Sequence, residues 1–264
     1  MKKFFLFFAI TYASQADDGL KYLNLGKPHL ILGNKVRVRS EASTTGKVIT
    51  ELSIGSEITP IEQTKVLHTQ DGVEAPWYKV SLVNNGKNTQ GYVWGNLIAK
   101  GHARGKDGLT FLYGIGRGVK SDPTWTNYST QVRVAKDGKE LARLEIKEGV
   151  SFMSGEEVAL RDGKGFDGVE NIFSIRFIQE YCGGKGNTIF VFWTGKKLVF
   201  AHSSIDGADA PVYAIEKQTF PGEKSGKKNH VYIVQEWGEH ENPKATKFEK
   251  FWLKWTGDKL EKVP

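Results

Sequence analysis

Between Val36 and Ala99 apolar and polar side chains alternate in short runs, and glycines separate those runs at close intervals. A period of two sends alternate side chains to opposite faces of a strand, so runs of this length bury an apolar face only by pairing into a sheet. The runs are Val36-Arg37-Val38-Arg39, Val48-Ile49-Thr50-Glu51-Leu52, Glu57 to Ile61, Trp77 to Val83 and Thr89 to Leu97. Val36 and Val38 share the inner face of the first run, with Lys35, Arg37 and Arg39 on the outer one. Gly46 and Gly55 fall in the first two connections, and Asn84-Asn85-Gly86 is a strong hairpin signal. The polar stretch from Glu62 to Pro76 is expected as a long loop. Short strands in this number match a small closed barrel, in which closure removes the exposed sheet edges.

Gly46-Lys47-Val48-Ile49, Gly55, Arg39, Trp77-Tyr78-Lys79-Val80 and Gly91-Tyr92-Val93-Trp94 fall in the order found in a known family. On those residues the segment 35–99 resembles the bacterial SH3-like (SH3b) domains, binding modules of the cell envelope. Glu41 and Ala42 stand where a Gly-Pro pair is common in that family, in a loop that often borders the ligand groove. The resemblance implies a peptidoglycan peptide or glycan as ligand. Exposed aromatic rings framed by loops give large contact area at small entropic cost, so Trp77, Tyr92 and Trp94 are the candidate contacts. Alternation puts Tyr92 and Trp94 on one face, opposite Val93, and Trp77 opposite Tyr78 and Val80. Arg39 is the candidate for an anionic group on the ligand, and such an arginine equally ties loops of the barrel together.

Residues 100–108, polar and glycine-rich, are expected to link this module to a rear domain over 109–264. There the strand signals follow one another closely. They include Gln131–Val134 and Leu141–Ile146 around Asp137-Gly138, Ile172–Ile178, and Thr188–Trp193 and Leu198–Ala201 around Gly195, then Val212–Ile215, His230–Gln235 and Phe248–Trp255. With no amphipathic helical period, the fold class is all-β: a small N-terminal barrel followed by a larger antiparallel sheet or sandwich. One echo is visible, because Trp193-Thr194-Gly195-Lys196-Lys197-Leu198 recurs as Trp255-Thr256-Gly257-Asp258-Lys259-Leu260. It implies duplicated sandwich halves or a shared turn chemistry, since two copies are too few for a propeller.

Lys2 and Lys3, the apolar run Phe4–Ala13 and Ser14-Gln15-Ala16 have the three parts of a secretory leader over 1–16. The run is too short to span a bilayer, so no transmembrane segment is expected after cleavage. Residues 17–34 then form a lead-in, and the place is secreted or periplasmic. Losing two lysines with the leader takes the formal charge from +7 to +5, a mild excess that suits anionic envelope polymers at low salt. A recognition-helix pattern and a dense basic stripe are both missing, which excludes nucleic acid as the partner.

Cys182 is the single cysteine, so no intrachain disulfide forms. As a nucleophile with His202 or His230 as base it would sit in Tyr181-Cys182-Gly183-Gly184 between two strands, without the helix N-terminus that lowers a thiol pKa. Asp162 to Glu170 is spaced like a worn calcium loop, but Lys164 and Phe166 occupy ligand positions. Gly238-Glu239-His240-Glu241-Asn242 has one histidine, too few for zinc. No cofactor, metal or catalytic group is expected. The function expected is non-catalytic binding in the envelope, to peptidoglycan or an envelope protein, the alternatives being an interaction scaffold and a cell-wall hydrolase active in the rear domain.

Overall fold

The computed structural model describes residues 23–122, 125–150, 155–179, 185–209, 211–240 and 242–263. The leader expected over 1–16 and Cys182 lie outside the described residues. The chain is all-β, as its alternation requires: eighteen strands and two short 3-10 turns make up the described residues.

In the front module β1 (His29–Leu30), β2 (Val36–Arg39), β3 (Val48–Leu52), β4 (Glu57–Gln70), β5 (Val73–Asn84) and β6 (Lys87–Trp94) form an antiparallel sheet in the order β1-β4-β5-β6-β2-β3. The sheet curls around Ile31, Val36, Val38, Ile58, Tyr78, Val80, Leu82, Val93 and Ile98, all buried. A Cβ on Gly91 would meet Val38 Cγ1 at 2.5 Å and the Arg39 carbonyl oxygen at 2.8 Å. Only glycine lets β2 cross β6 that closely, and the crossing sets Arg39 opposite Tyr92. The expected loop over Glu62–Pro76 is instead a hairpin arm. β4 continues to Gln70, turns at Asp71-Gly72, and pairs Leu67 to Gln70 with Pro76 to Val73 across bulges at Pro60/Glu62 and Gln63/Leu67. Polar composition concealed it, because neither face of the arm enters the barrel core; Val66 and Leu67 are exposed.

The rear part is three successive four-stranded meanders. The first consists of β7 (Gly101–Arg104), β8 (Thr110–Asp122), β9 (Trp125–Lys136) and β10 (Lys139–Val150). The second is β11 (Gly155–Asp162), β12 (Asn171–Gln179), β13 (Lys185–Trp193) and β14 (Leu198–Asp209), and the third β15 (Val212–Thr219), β16 (His230–Glu239), β17 (Asn242–Trp255) and β18 (Leu260–Val263). The expected linker is thus in part a strand: Gly101–Arg104 pairs with Tyr113–Thr110, which fixes this segment to the first meander. The second and third meanders share one eight-stranded sheet, yet β14 and β15 pair only through Gly207–Asp209 and Val212–Ala214. Beyond those residues the sheet folds over and encloses its own face.

The molecule is consequently layered. Leu30, Leu32, Ile54 and Ala99 of the front module pack on Leu112 and Ala135 of the first meander. On that meander's other face Phe111, Tyr113, Val132 and Val134 meet Phe173, Ile175, Phe177, Ile189, Val191 and Trp193 of the second. The second meander's remaining face, with Ile172, Phe190 and Phe192, packs on Val231, Ile233, Leu253 and Trp255 of the third. Strands buried on both faces read as continuous apolar runs, as in Ile189-Phe190-Val191-Phe192-Trp193.

The Trp-Thr-Gly echo is a repeated structural turn. Thr194 and Thr256 each donate their backbone N–H and their hydroxyl to the carbonyl oxygen three residues on, Lys197 and Lys259. Residues 62 apart also touch: Arg161 meets Glu223, and Asp167 exchanges hydrogen bonds with Asn229. These contacts help hold the second and third meanders face to face.

Candidate functional site

Adjacent strands β5 and β6 set Trp77 directly opposite Trp94. Their odd-even phase sends Tyr78, Val80 and Val93 into the barrel core and both indoles to its outer side, where Ala42, Ala75, Tyr92 and Leu97 pack around them. Both tryptophans are only 4% exposed. The Trp94 Nε1–H donates to the Ala75 carbonyl oxygen at 3.0 Å, so its one polar group is satisfied inside the protein. From the hairpin arm His68 lays its ring edge-on to Trp94, at 5.1 Å between centroids, and tilted to Trp77 at 6.2 Å.

A cavity of about 200 Å³ opens beside this pair. Its walls include Arg39, Trp77, Trp94, His68 and Gln70, with Lys35 and Arg37 from the start of β2 and Thr44 from the following loop. Lys35, Arg37 and Arg39 bring three cations to a lining without a carboxylate. Arg37 is shared with Glu51 on β3, Nε to Oε1 at 3.3 Å between exposed side chains, a pair worth little in water. Arg39 is half-buried, and its Nη1 donates to the Gly46 carbonyl oxygen at 2.6 Å. It therefore anchors the loop carrying Glu41 and Ala42, leaving the rest of the guanidinium fork toward the cavity.

Three of the four sequence candidates, Arg39, Trp77 and Trp94, thus line one cavity. Tyr92 lies beside it, pairing with Arg39 and packing on the indoles without entering the lining. The tryptophans are not open platforms: they form a wall that shows only a sliver of ring. His68 and Gln70 were missed because the arm that carries them reads as a polar loop; its signal is the Asp71-Gly72 turn between Thr69 and Val73.

The sequence's other chemical candidates have structural partners. His202 Nε2 and Glu216 Oε1 lie 2.6 Å apart. Gln218 Nε2 donates to the same carboxylate oxygen at 2.9 Å and Gln235 Nε2 to Oε2 at 2.8 Å. Burial pushes the Glu216 carboxyl up, but the bonds from His202, Gln218 and Gln235 outweigh that and hold it below the usual carboxylate range. This cluster stands where β14 and β15 part, and Asp206 Oδ1 there accepts the Glu216 backbone N–H at 3.0 Å in place of a ladder bond. It seals the fold in the sheet. Asp167, in the stretch spaced like a calcium loop, pairs with Lys228 at 2.8 Å and Asn229 at 2.7 Å, which lowers its pKa and clasps the two meanders together. Among the described residues no cluster of His, Cys, Asp and Glu has the makings of a metal site.

Comparisons with protein families, with curated proteins and with solved structures find no match to this chain. No helix among the described residues is long and apolar enough to cross a membrane.

Proposed function

We propose that this is a non-catalytic binding protein of the cell envelope, secreted or periplasmic, whose front module is an SH3-like domain that holds a peptidoglycan peptide or glycan strand. The observation that carries the reading is the cavity beside Trp77 and Trp94, lined by Lys35, Arg37 and Arg39 and by no carboxylate. Wall peptides end in carboxylates, and a guanidinium fork offers two parallel donors to such a group. Because Arg39 already spends one donor on Gly46, its plane is held in place, and less freedom is lost on binding. The indole wall gives apolar contact for a peptide side chain or sugar face.

Co-sedimentation of the full chain with purified peptidoglycan tests this. Retention that persists at physiological salt and falls in Arg39→Ala and in Arg37→Ala supports the reading. Absence of the protein from the pellet at low salt as well removes it. Trp94 is a poor probe of binding by itself, since its replacement also opens the packed cluster.

A further inference from the structure

Among the described residues each meander face in the stack of layers is covered by the next element, with one exception. The face of the third meander that points away from the second carries Tyr213, Ile215 and Lys217 on β15, Tyr232, Val234 and Glu236 on β16, and Phe248, Lys250 and Trp252 on β17. These are the positions that alternate with the buried Val231, Ile233 and Leu253. Phe248 is 59% exposed and Ile215 39%. Glu236 lies between them in the strand register, and the next row is Lys217, Val234 and Lys250; the two rows line a cavity of about 240 Å³. An exposed apolar cluster within a charged rim is the pattern of an interaction surface.

Its chemistry selects the occupant. Lys217 and Lys250 flank Val234 on both sides, and among the described residues neither has a carboxylate partner. Lys227 adds a third cation, 5.7 Å from the centroid of Trp252. The carboxylate within the patch, Glu236, accepts the Tyr213 hydroxyl at 2.9 Å. A second copy docked by a two-fold axis through this face would set these lysines against themselves. A sugar ring would find one exposed aromatic side chain in the lining, Phe248, beside the aliphatic Ile215 and Val234, a mixed surface that suits an apolar side chain better. Trp252 is already packed between Tyr232, at 4.8 Å, and His230, at 5.9 Å.

We propose that the outer face of β15, β16 and β17 docks an acidic protein segment, which seats an apolar side chain over Val234, beside the row of Ile215 and Phe248, and sets carboxylates against Lys217 and Lys250. Apolar burial holds the segment, and the lysines steer it and select its sign. The surface is separate from the cavity of the front module, so the two sites are free to be occupied together.

The test takes the full chain and a fluorescent glutamate-rich copolymer containing tyrosine, with polyglutamate and hyaluronate as comparators, and reads anisotropy. The copolymer is expected to bind more tightly than either comparator. Each of two exposed-site variants, the Lys217→Glu/Lys250→Glu pair and Phe248→Ser, is expected to weaken it about tenfold or more, the effect of losing a central contact. Lys87→Glu, an exposed charge reversal outside both cavities, is expected to leave it unchanged. The proposal is overturned if the copolymer does not bind or binds both rear variants as before. It is equally overturned if Lys87→Glu weakens binding as much, if the loss falls on Arg37→Glu of the front cavity in place of the rear variants, or if hyaluronate binds as tightly through the same lysines.

Discussion

The cavity of the front module and the outer face of the third meander are both built from aromatic residues and lysine or arginine on β-strands, yet they expose them differently. At the front, Trp77 and Trp94 are 4% exposed and enclosed by Ala42, Tyr92, Leu97 and the His68 ring, so the aromatics serve packing first. At the rear, Phe248 and Ile215 are exposed, with no layer above them among the described residues. Composition is shared; the difference is whether a further segment of chain folds over the strands. The hairpin arm of β4 and β5 does so in front, and no described element does so behind.

Trp94→Ala is expected to break this comparison most sharply. Emptying a packed site of an indole costs about 3–5 kcal/mol, read as a fall in the denaturation midpoint. Phe248→Ser at the rear face should change stability by no more than about 0.5 kcal/mol. Equal losses at the two positions would show that the rear face is covered.

The polar seam comes next. Glu216→Ala leaves His202, Gln218 and Gln235 without their shared acceptor, and removing one partner of a buried pair costs about 3 kcal/mol. The Glu216 carboxyl titrates below its unfolded value of about 4.5, so its contribution is present above that pH and is lost as pH falls toward the folded value. Urea midpoints measured down to acid pH should fall there in the native chain and fall less steeply in Glu216→Ala, where the lowered Asp167 carboxyl remains. The junction of front and rear responds earlier. Burial holds His29 on β1 and His102 on β7 below 6.5, so the unfolded chain takes up the protons first. Stability there is complete above about 6.5 and declines as pH drops below it. Substituting both histidines by glutamine should remove that first step and leave the second.

The smallest effect separates the two copies of the repeated turn. Trp255 Nε1 donates to the Asp167 carbonyl oxygen at 3.0 Å, whereas Trp193 Nε1 is buried with no partner among the described residues. Trp255→Phe should cost about 1 kcal/mol more than Trp193→Phe, the net worth of one hydrogen bond, by equilibrium unfolding. Equal costs would mean that Trp193 Nε1 is satisfied by water.

A second close approach joins the halves. A Cβ on Gly118 would come within 2.5 Å of the Gly72 carbonyl oxygen, and the Gly118 N–H donates to Asp71 at 3.1 Å. The tip of the arm on β4 and β5 thus rests on β8. Nothing in the local pattern at Asp71-Gly72 or Gly116-Arg117-Gly118 announces that meeting, since each is compatible with a free turn or strand.

Alternation by itself determined the all-β class, most strand positions and the opposite faces of Val93 and Trp94, because a strand's side-chain period is a local property. The family resemblance brought Arg39, Trp77, Tyr92 and Trp94 forward as candidates, and three of these four line the front cavity. Alternation did not reveal the arm that carries His68, the strand at Gly101–Arg104, or which aromatics are covered. The arm and the covering of aromatics depend on contacts between segments far apart in the chain, β5 on β8 and the second meander on the third, and the strand at Gly101–Arg104 on its pairing with Thr110–Tyr113. Polar strands such as Thr64–Gln70 are held by backbone pairing, which leaves little mark on composition. Burial of a given ring is decided by whatever the tertiary structure lays over it.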